Sequence, residues 1–366
     1  MRAAVFHGAG DIRIEERDDP VPERGEVVVR VLACGICGTD VHEYKAGPVM
    51  FPISRRHHVT GHLGPLVPGH ELAGEVVALG ADVAGLAAGD LVACSAATWC
   101  GTCRWCQLGR TNLCERYAAV GLHRDGGLAE YCSVPVAACM RAGETGLGPD
   151  AIALAQPTAI AVHARSRSRL SKGESALVVG AGGVGAFLAY ALLAAGVHVC
   201  VVDPEDARRQ IAIDLGVHLA IAAPEPDELS GLLAEKRFDP DVVFEASGTP
   251  DGLASALGVA RPGTRVVVVG LQGRPSPLDA RSLALGEVEV IGTNALIRGV
   301  DLPEAVRLLS LAPSRLTSVA PEALPLSELV SEGLEPLAQG VTRRVKTLID
   351  PWAAVRRQTQ MTGALR

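Results

Sequence analysis

Between Glu174 and Asp203 the chain carries no charged residue, and few folds can absorb such a stretch. A run of that length is long enough to span a bilayer. Its centre, however, holds Gly180, Gly182, Gly183 and Gly185, with β-branched clusters towards both ends. A strand (Ala176–Val179), a glycine turn, a helix (Ala186–Ala195) and a second strand (Val197–Val202) account for the pattern better than one membrane helix. No membrane partner is expected.

Further apolar runs follow at Val242–Glu245, Arg265–Val269 and Val288–Ile291, separated by helical patterns. Continuously apolar strands alternating with helices predict a parallel sheet covered on both faces. The first 150 residues read differently. Short β-type runs such as Glu26–Leu32 and Glu75–Leu79 alternate with Gly and Pro turns, as in a barrel-like β unit. After Gly292 the alternation stops, with a helical pattern at Leu302–Leu309 and a returning strand at Arg344–Ile349. The fold class expected is α/β. A β-rich domain (1–155, completed by 294–366, with a cysteine lobe at 94–116) would be interrupted by a Rossmann domain (156–293).

With 366 residues, 48% of them apolar and 20% charged, the chain suits a two-domain globular protein. Its 34 basic and 41 acidic residues give a formal charge of −7, a surface that repels a phosphate backbone, so nucleic acid is not an expected partner. The N-terminus lacks the pattern of a secretory signal. Ten cysteines in close clusters then suggest metal binding in a reducing, cytoplasmic setting rather than disulfides.

Gly180-Ala-Gly182-Gly183-Val184-Gly185 follows a strand and opens a helix. The first glycine permits a tight turn, the second admits a pyrophosphate against the backbone, and the third lets helix and strand pack closely. Free N–H groups at the helix start favour the phosphates. Asp203 ends the second strand, where a carboxylate can accept both adenosine ribose hydroxyls and repel a 2′-phosphate, so NAD is the cofactor expected. Arg208 falls at the same end of the site. With Arg209 it could instead clamp the phosphate of NADP, or simply belong to a solvated helix face.

Cys100-Gly-Thr-Cys103-Arg-Trp-Cys106 and Cys114 place four thiolates within one short loop. They suffice for a closed tetrahedron around a structural zinc ion, which would do no chemistry. An iron–sulfur cluster is the alternative, but no second cysteine set accompanies it. A different set surrounds Cys37, with Thr39 and His42 close behind and His70-Glu71 about thirty residues on. Thiolate, imidazole and carboxylate leave one position open on a zinc ion, the arrangement of a catalytic site. Thr39 could pass a proton from an alcohol and His42 deliver it to solvent, while Asp40 could orient a histidine ligand. Cys34, Cys94, Cys132, Cys139 and Cys200 read as core thiols, and His57, His58 and His62 as part of a mobile loop.

Cys37-Gly-Thr-Asp-Val-His-Glu-Tyr-Lys-Ala-Gly-Pro48 and Gly69-His-Glu-Leu-Ala-Gly-Glu75, with the cysteine lobe and glycine motif in that order, resemble the zinc-containing medium-chain dehydrogenase/reductase superfamily along essentially the whole chain. The closest branch is that of 2,3-butanediol and polyol dehydrogenases. The resemblance implies a GroES-like catalytic domain, a Rossmann domain, a homodimer or homotetramer, and two zinc ions per chain. It implies zinc-dependent, NAD-linked interconversion of a secondary alcohol, vicinal diol or polyol-like, and a ketone. Cys37, His70 and Glu71 would hold the catalytic zinc, Thr39 and His42 form the proton relay, and Lys346 contact the cofactor pyrophosphate. One position departs. Gln156 stands where polyol members carry glutamate and other alcohol dehydrogenases cysteine, so either Glu71 and water complete the site or metal binding is weakened, and Glu71 is the ligand expected. Two other readings compete: a zinc-free quinone or enoyl reductase, and a non-enzymatic dinucleotide-binding member.

Overall fold

A computed structural model of the chain describes residues 1–341 and 344–363. Positions 342–343 and 364–366 of the expected C-terminal completion therefore lie outside the described residues. The fold is α/β and forms two compact units. The first comprises Met1–Ala159 and later segments that begin at Leu296 and at Lys346. The second comprises Ile160–Ala295 and a short segment ending at Val345.

In the first unit an eight-stranded sheet is built around Glu26–Gly35, which pairs antiparallel with Glu71–Leu79, Tyr131–Pro135 and Leu348–Asp350. Val27, Val29, Val31 and Ala33 are fully buried at alternate positions, the period-2 pattern of a strand with one face on a core. Opposite them pack Val76, Val92, Leu128 and Val134, all fully buried. The returning strand expected at Arg344–Ile349 is confined to Leu348–Asp350, whereas the strands Glu26–Gly35 and Glu71–Leu79 are longer than the expected Glu26–Leu32 and Glu75–Leu79. Their extra residues, through Gly35 and from Glu71, pair with each other and carry the chain to the metal residues.

The second unit holds a six-stranded parallel sheet in the order Leu219–Ala222, His198–Asp203, Ser175–Val179, Val242–Glu245, Arg265–Val268 and Glu289–Gly292. Leu177, Val178, Val199, Val201, Val243 and Phe244 are fully buried, as strands covered on both faces require. Helix Gly183–Ala194 is apolar nearly all round because Gly185 to Leu192 are buried without a break. That accounts for the charge-free stretch. Among the described residues, no helix is long and apolar enough to cross a membrane.

The loop carrying His57, His58 and His62 is pinned in place. The His57 ring stacks on His123 at 4.3 Å, and Thr60 Oγ1 donates to the His123 carbonyl at 2.6 Å. The three histidines do not converge as ligands in either metal-type cluster found among the described residues. Burial, with His57 and His58 nearby, lowers the His123 pKa to about 4, against about 6.5 for an unfolded histidine. Between those values the unfolded chain binds the extra proton, so stability rises with pH across that window. Replacing His123 with Gln should flatten the rise of Tm between about pH 4 and 6.5. An unchanged slope would show that the ring is not held neutral.

Candidate metal centres and dinucleotide site

The antiparallel register sets Gly35 opposite Glu71. The chain leaving one strand, Ile36-Cys37, therefore runs beside the chain entering the other, Gly69-His70. Cys37 Sγ, a His70 ring nitrogen and a Glu71 oxygen all lie within 4.8 Å of one another. Gly35 has no side chain for a steric reason: a Cβ there would stand 2.2 Å from Glu71 Oε2. Cys37 also begins helix Gly38–Ala46, and Asp40 in its first turn accepts from the Cys37 N–H at 2.9 Å.

Lys346 is placed differently from the expectation that it contacts a pyrophosphate. It is 4% exposed, and its ammonium donates to Glu71 Oε1 at 2.6 Å and to the Ile36 carbonyl at 3.0 Å. A buried ammonium needs such partners, and Glu71 and the strand end supply them. Ile36 N–H donates to the Thr347 carbonyl at 2.9 Å, which brings the returning chain, and Lys346 with it, to this spot. Nζ also lies 2.5 Å from Glu71 Oε2, without hydrogen-bond geometry. The ammonium thus faces both carboxylate oxygens, and Oε2 has no further donor.

The charges around this site do not balance. With Cys37 as thiolate and His70 neutral, the states in which both can ligate a metal, three negative groups (Cys37, Asp40, Glu71) face one positive group, Lys346, all at 5% exposure or less except Cys37, which is half-buried. Burial disfavours a charged His70, yet the Cys37 sulfur, Asp40 and Glu71 push its pKa up to about 10. His70 Nδ1 and Asp40 Oδ1 face each other at 3.8 Å, too far for a hydrogen bond, and both lack other partners. A soft sulfur, an imidazole and a carboxylate oxygen, with two excess negative charges when His70 is neutral, fit a divalent cation of zinc type. Gln156 is buried at 8% exposure in helix Ala155–Arg167. Thr39 Oγ1 lies 3.8 Å from Cys37 Sγ, and His42 is exposed on the same helix.

The second sulfur cluster is more regular. Sγ separations are 3.5 Å for Cys100–Cys114, 3.6 Å for Cys103–Cys106, 3.9 Å for Cys103–Cys114 and 4.0 Å for Cys100–Cys106. A tetrahedron with zinc–sulfur bonds of about 2.3 Å has edges of about 3.8 Å. Hydrogen bonds from Thr102 and from backbone amides hold the Cys100 pKa down at about 6. The other five cysteines are at most 2% exposed, as core thiols are.

In the second unit the glycine turn joins Ser175–Val179 to helix Gly183–Ala194, whose N-cap, Gly182, offers no side-chain cap. The first N–H groups of the helix are thus left for a ligand. Gly180 adopts φ +97°, and a Cβ at Gly185 would meet the Gly180 carbonyl at 1.9 Å. Asp203 is 1% exposed, and its carboxylate accepts from the Ala181 N–H at 2.7 Å and the Glu205 N–H at 2.9 Å. It therefore braces the glycine turn as well as ending its strand. Arg208 points back to it, 3.7 Å from Oδ2. Val184 is the second residue of the helix. One brace was not foreseen: Glu245, fully buried where strand Val242–Glu245 ends. A charge closing an apolar strand was the available signal, as it was for Asp203.

Residues 23–144 match the family of the alcohol dehydrogenase GroES-like domain, and residues 183–310 that of the zinc-binding dehydrogenases. L-galactonate-5-dehydrogenase of Escherichia coli is 36% identical over 278 residues, covering 74% of this chain and 76% of the relative. The crystal structure of 2R,3R-butanediol dehydrogenase from Bacillus subtilis matches with a TM-score of 0.87 at 30% identity, over 96% of this chain and 99% of that one. An Escherichia coli CFT073 alcohol dehydrogenase complexed with NADH matches with a TM-score of 0.83 at 26% identity, over 96% and 99%. With both halves matched and relatives aligned over nearly the full length, the chain belongs to the zinc-binding alcohol dehydrogenase family and is a zinc-dependent, NAD(H)-linked oxidoreductase that interconverts a secondary alcohol and a ketone.

Proposed function

We propose that the substrate is a polyol, vicinal diol or similar polyhydroxylated molecule, oxidised at a secondary carbon with NAD, and that each chain holds two zinc ions. The observation that carries this reading is the buried donor set Cys37, His70 and Glu71 with its excess negative charge. The names of relatives supply the substrate class, among them butanediol, sorbitol and L-galactonate dehydrogenases. When bound, zinc supplies Lewis acidity to the alcohol oxygen and NAD supplies the hydride acceptor.

The chain's own residues do the rest. Cys37, His70 and Glu71 hold the catalytic ion, and Lys346 balances the carboxylate charge from the side. Asp40 sets the His70 ring, and Thr39 accepts the alcohol proton, which exposed His42 passes to solvent. Gln156 contributes a neutral amide where a third charged ligand would overload a site already carrying Glu71. Cys100, Cys103, Cys106 and Cys114 close around the structural ion. Gly180, Gly182, Gly183, Val184 and Gly185 cradle the pyrophosphate, while Asp203 and Arg208 flank the adenosine ribose. A zinc-free reductase would have no use for either sulfur cluster. Assembly as a homodimer or homotetramer suits the open edge strand Glu289–Gly292, where Val290 is 39% exposed. Ten unpaired cysteines suit a reducing, cytoplasmic compartment.

Metal analysis of variants tests the assignment. Glu71→Gln should reduce bound zinc from two ions per chain to one, and Cys103→Ser should lose the other ion together with thermal stability. Two ions retained in Glu71→Gln would remove Glu71 from the ligand set. Thr39→Ala should lower kcat by about 100-fold with zinc content unchanged, and an unaltered kcat would exclude the relay. Cofactor choice is read from kcat/KM with NAD and with NADP. Wild type should prefer NAD, Asp203→Ser should shift the ratio toward NADP by about tenfold or more, and an unshifted ratio would take ribose selection away from Asp203.

A further inference from the structure

Glu245 is fully buried at the C-terminal end of a strand in the parallel sheet, paired with Val179 on one side and Val268 on the other. Its carboxylate is fully engaged. Oε1 accepts from Ser247 N–H at 2.8 Å, Ser247 Oγ at 2.5 Å and Gly248 N–H at 2.9 Å, and Oε2 from Gln272 Nε2 at 3.1 Å. Its backbone carbonyl accepts from Val269 and Gly270 at 2.8 and 3.0 Å. The network continues outward: Thr249 N–H donates to Ser247 Oγ at 3.1 Å, and Thr249 Oγ1 caps helix Pro250–Gly258 at the Gly252 N–H.

One buried side chain thus ties together the turns that follow two adjacent strands. The first of these turns lies directly behind the glycine loop. A Cβ on Gly180 would meet Ser247 N at 2.7 Å, and Ala246 N–H donates to the Val179 carbonyl at 2.8 Å. Ser247 and Thr249 are themselves exposed, at the strand ends where open α/β sheets take their ligands. A mere core filler would be apolar, since burying a carboxylate is costly unless every oxygen is satisfied.

We propose that Glu245 is a positioning residue for the dinucleotide: through Ser247, Gly248 and Gln272 it holds the two turns behind Gly180 in the shape that binds the cofactor. The inference rests on the reading of this unit as the NAD site. A neutral Gln at 245 still offers one oxygen to the Ser247 and Gly248 donors, and its amide nitrogen can meet Gln272 Oε1, which is buried without a partner. An Ala offers neither.

NADH binding to the zinc-loaded protein, followed by nicotinamide fluorescence, tests this. Glu245→Ala should raise the NADH Kd and the KM for NAD about tenfold or more. The KM for the alcohol and the zinc content should stay unchanged, and Glu245→Gln should bring Kd back to within about threefold of wild type. A Glu245→Ala chain that melts earlier yet binds NADH within about twofold of wild type would reduce Glu245 to a structural role and overturn the proposal. If that variant does not fold, Ser247→Ala and Gln272→Ala remove outer contacts only and should each weaken NADH about threefold. Unchanged binding in both would equally overturn it. Wild-type protein that binds no NADH would defeat the reading of the unit, and this inference with it.

Discussion

A cluster of buried charge that does not cancel within the protein is the constraint on which the first unit depends. With His70 neutral, as a metal ligand must be, Cys37, Asp40 and Glu71 face only Lys346, and an uncompensated buried charge costs several kcal/mol. A divalent cation brings the sum to zero, so ion and fold stabilise each other. The same arrangement explains why Lys346 is buried. It limits how much negative charge a bound ion would have to neutralise, which would leave that metal more electrophilic toward an oxygen ligand.

This charge balance also makes sense of Gln156. In a set that already holds a thiolate, a carboxylate on Glu71 and a carboxylate on Asp40, another anion would demand another counter-charge. Among the described residues there is one buried lysine, Lys346, for the purpose. A neutral amide at 156 is consistent with Glu71 serving as ligand. Elsewhere buried carboxylates are handled by donors rather than ions. Asp203 takes two backbone N–H groups, Glu245 four donors, and Asp150 the fork of Arg357 with the Gln360 N–H. In the Cys37 cluster, by contrast, Asp40 Oδ1 has no hydrogen-bond donor, and Glu71 Oε2 has only the Lys346 ammonium beside it.

Much of this was legible in the residues because the chemistry demands local patterns. Four cysteines in a short loop, or glycines between a strand and a helix, announce themselves through spacing alone. The joining of Cys37 to His70 was legible only as residue types, since the strand register that unites them is a long-range property. Lys346 could not be placed from its neighbours. Its environment is set by Glu71, 275 positions away. Leu219–Ala222 is hard to read as a strand because its apolar residues are few, half of them alanine rather than β-branched, and as an edge strand it is only partly buried. Helix Arg298–Leu311 begins earlier than the apolar pattern at Leu302 suggests. Its first turn is held by Asp301 accepting from the Ile297 N–H, and Pro303 sits inside it near the N-terminus.

The two proposed zinc sites differ in what they ask of the protein, and crystals of the zinc-loaded enzyme would separate them by anomalous scattering at the zinc edge. Two peaks per chain are predicted, one equidistant from the sulfurs of Cys100, Cys103, Cys106 and Cys114, the other among Cys37 Sγ, the His70 ring and a Glu71 oxygen. A single peak at the four-cysteine lobe would contradict the account and leave the buried negative charge without its counter-ion.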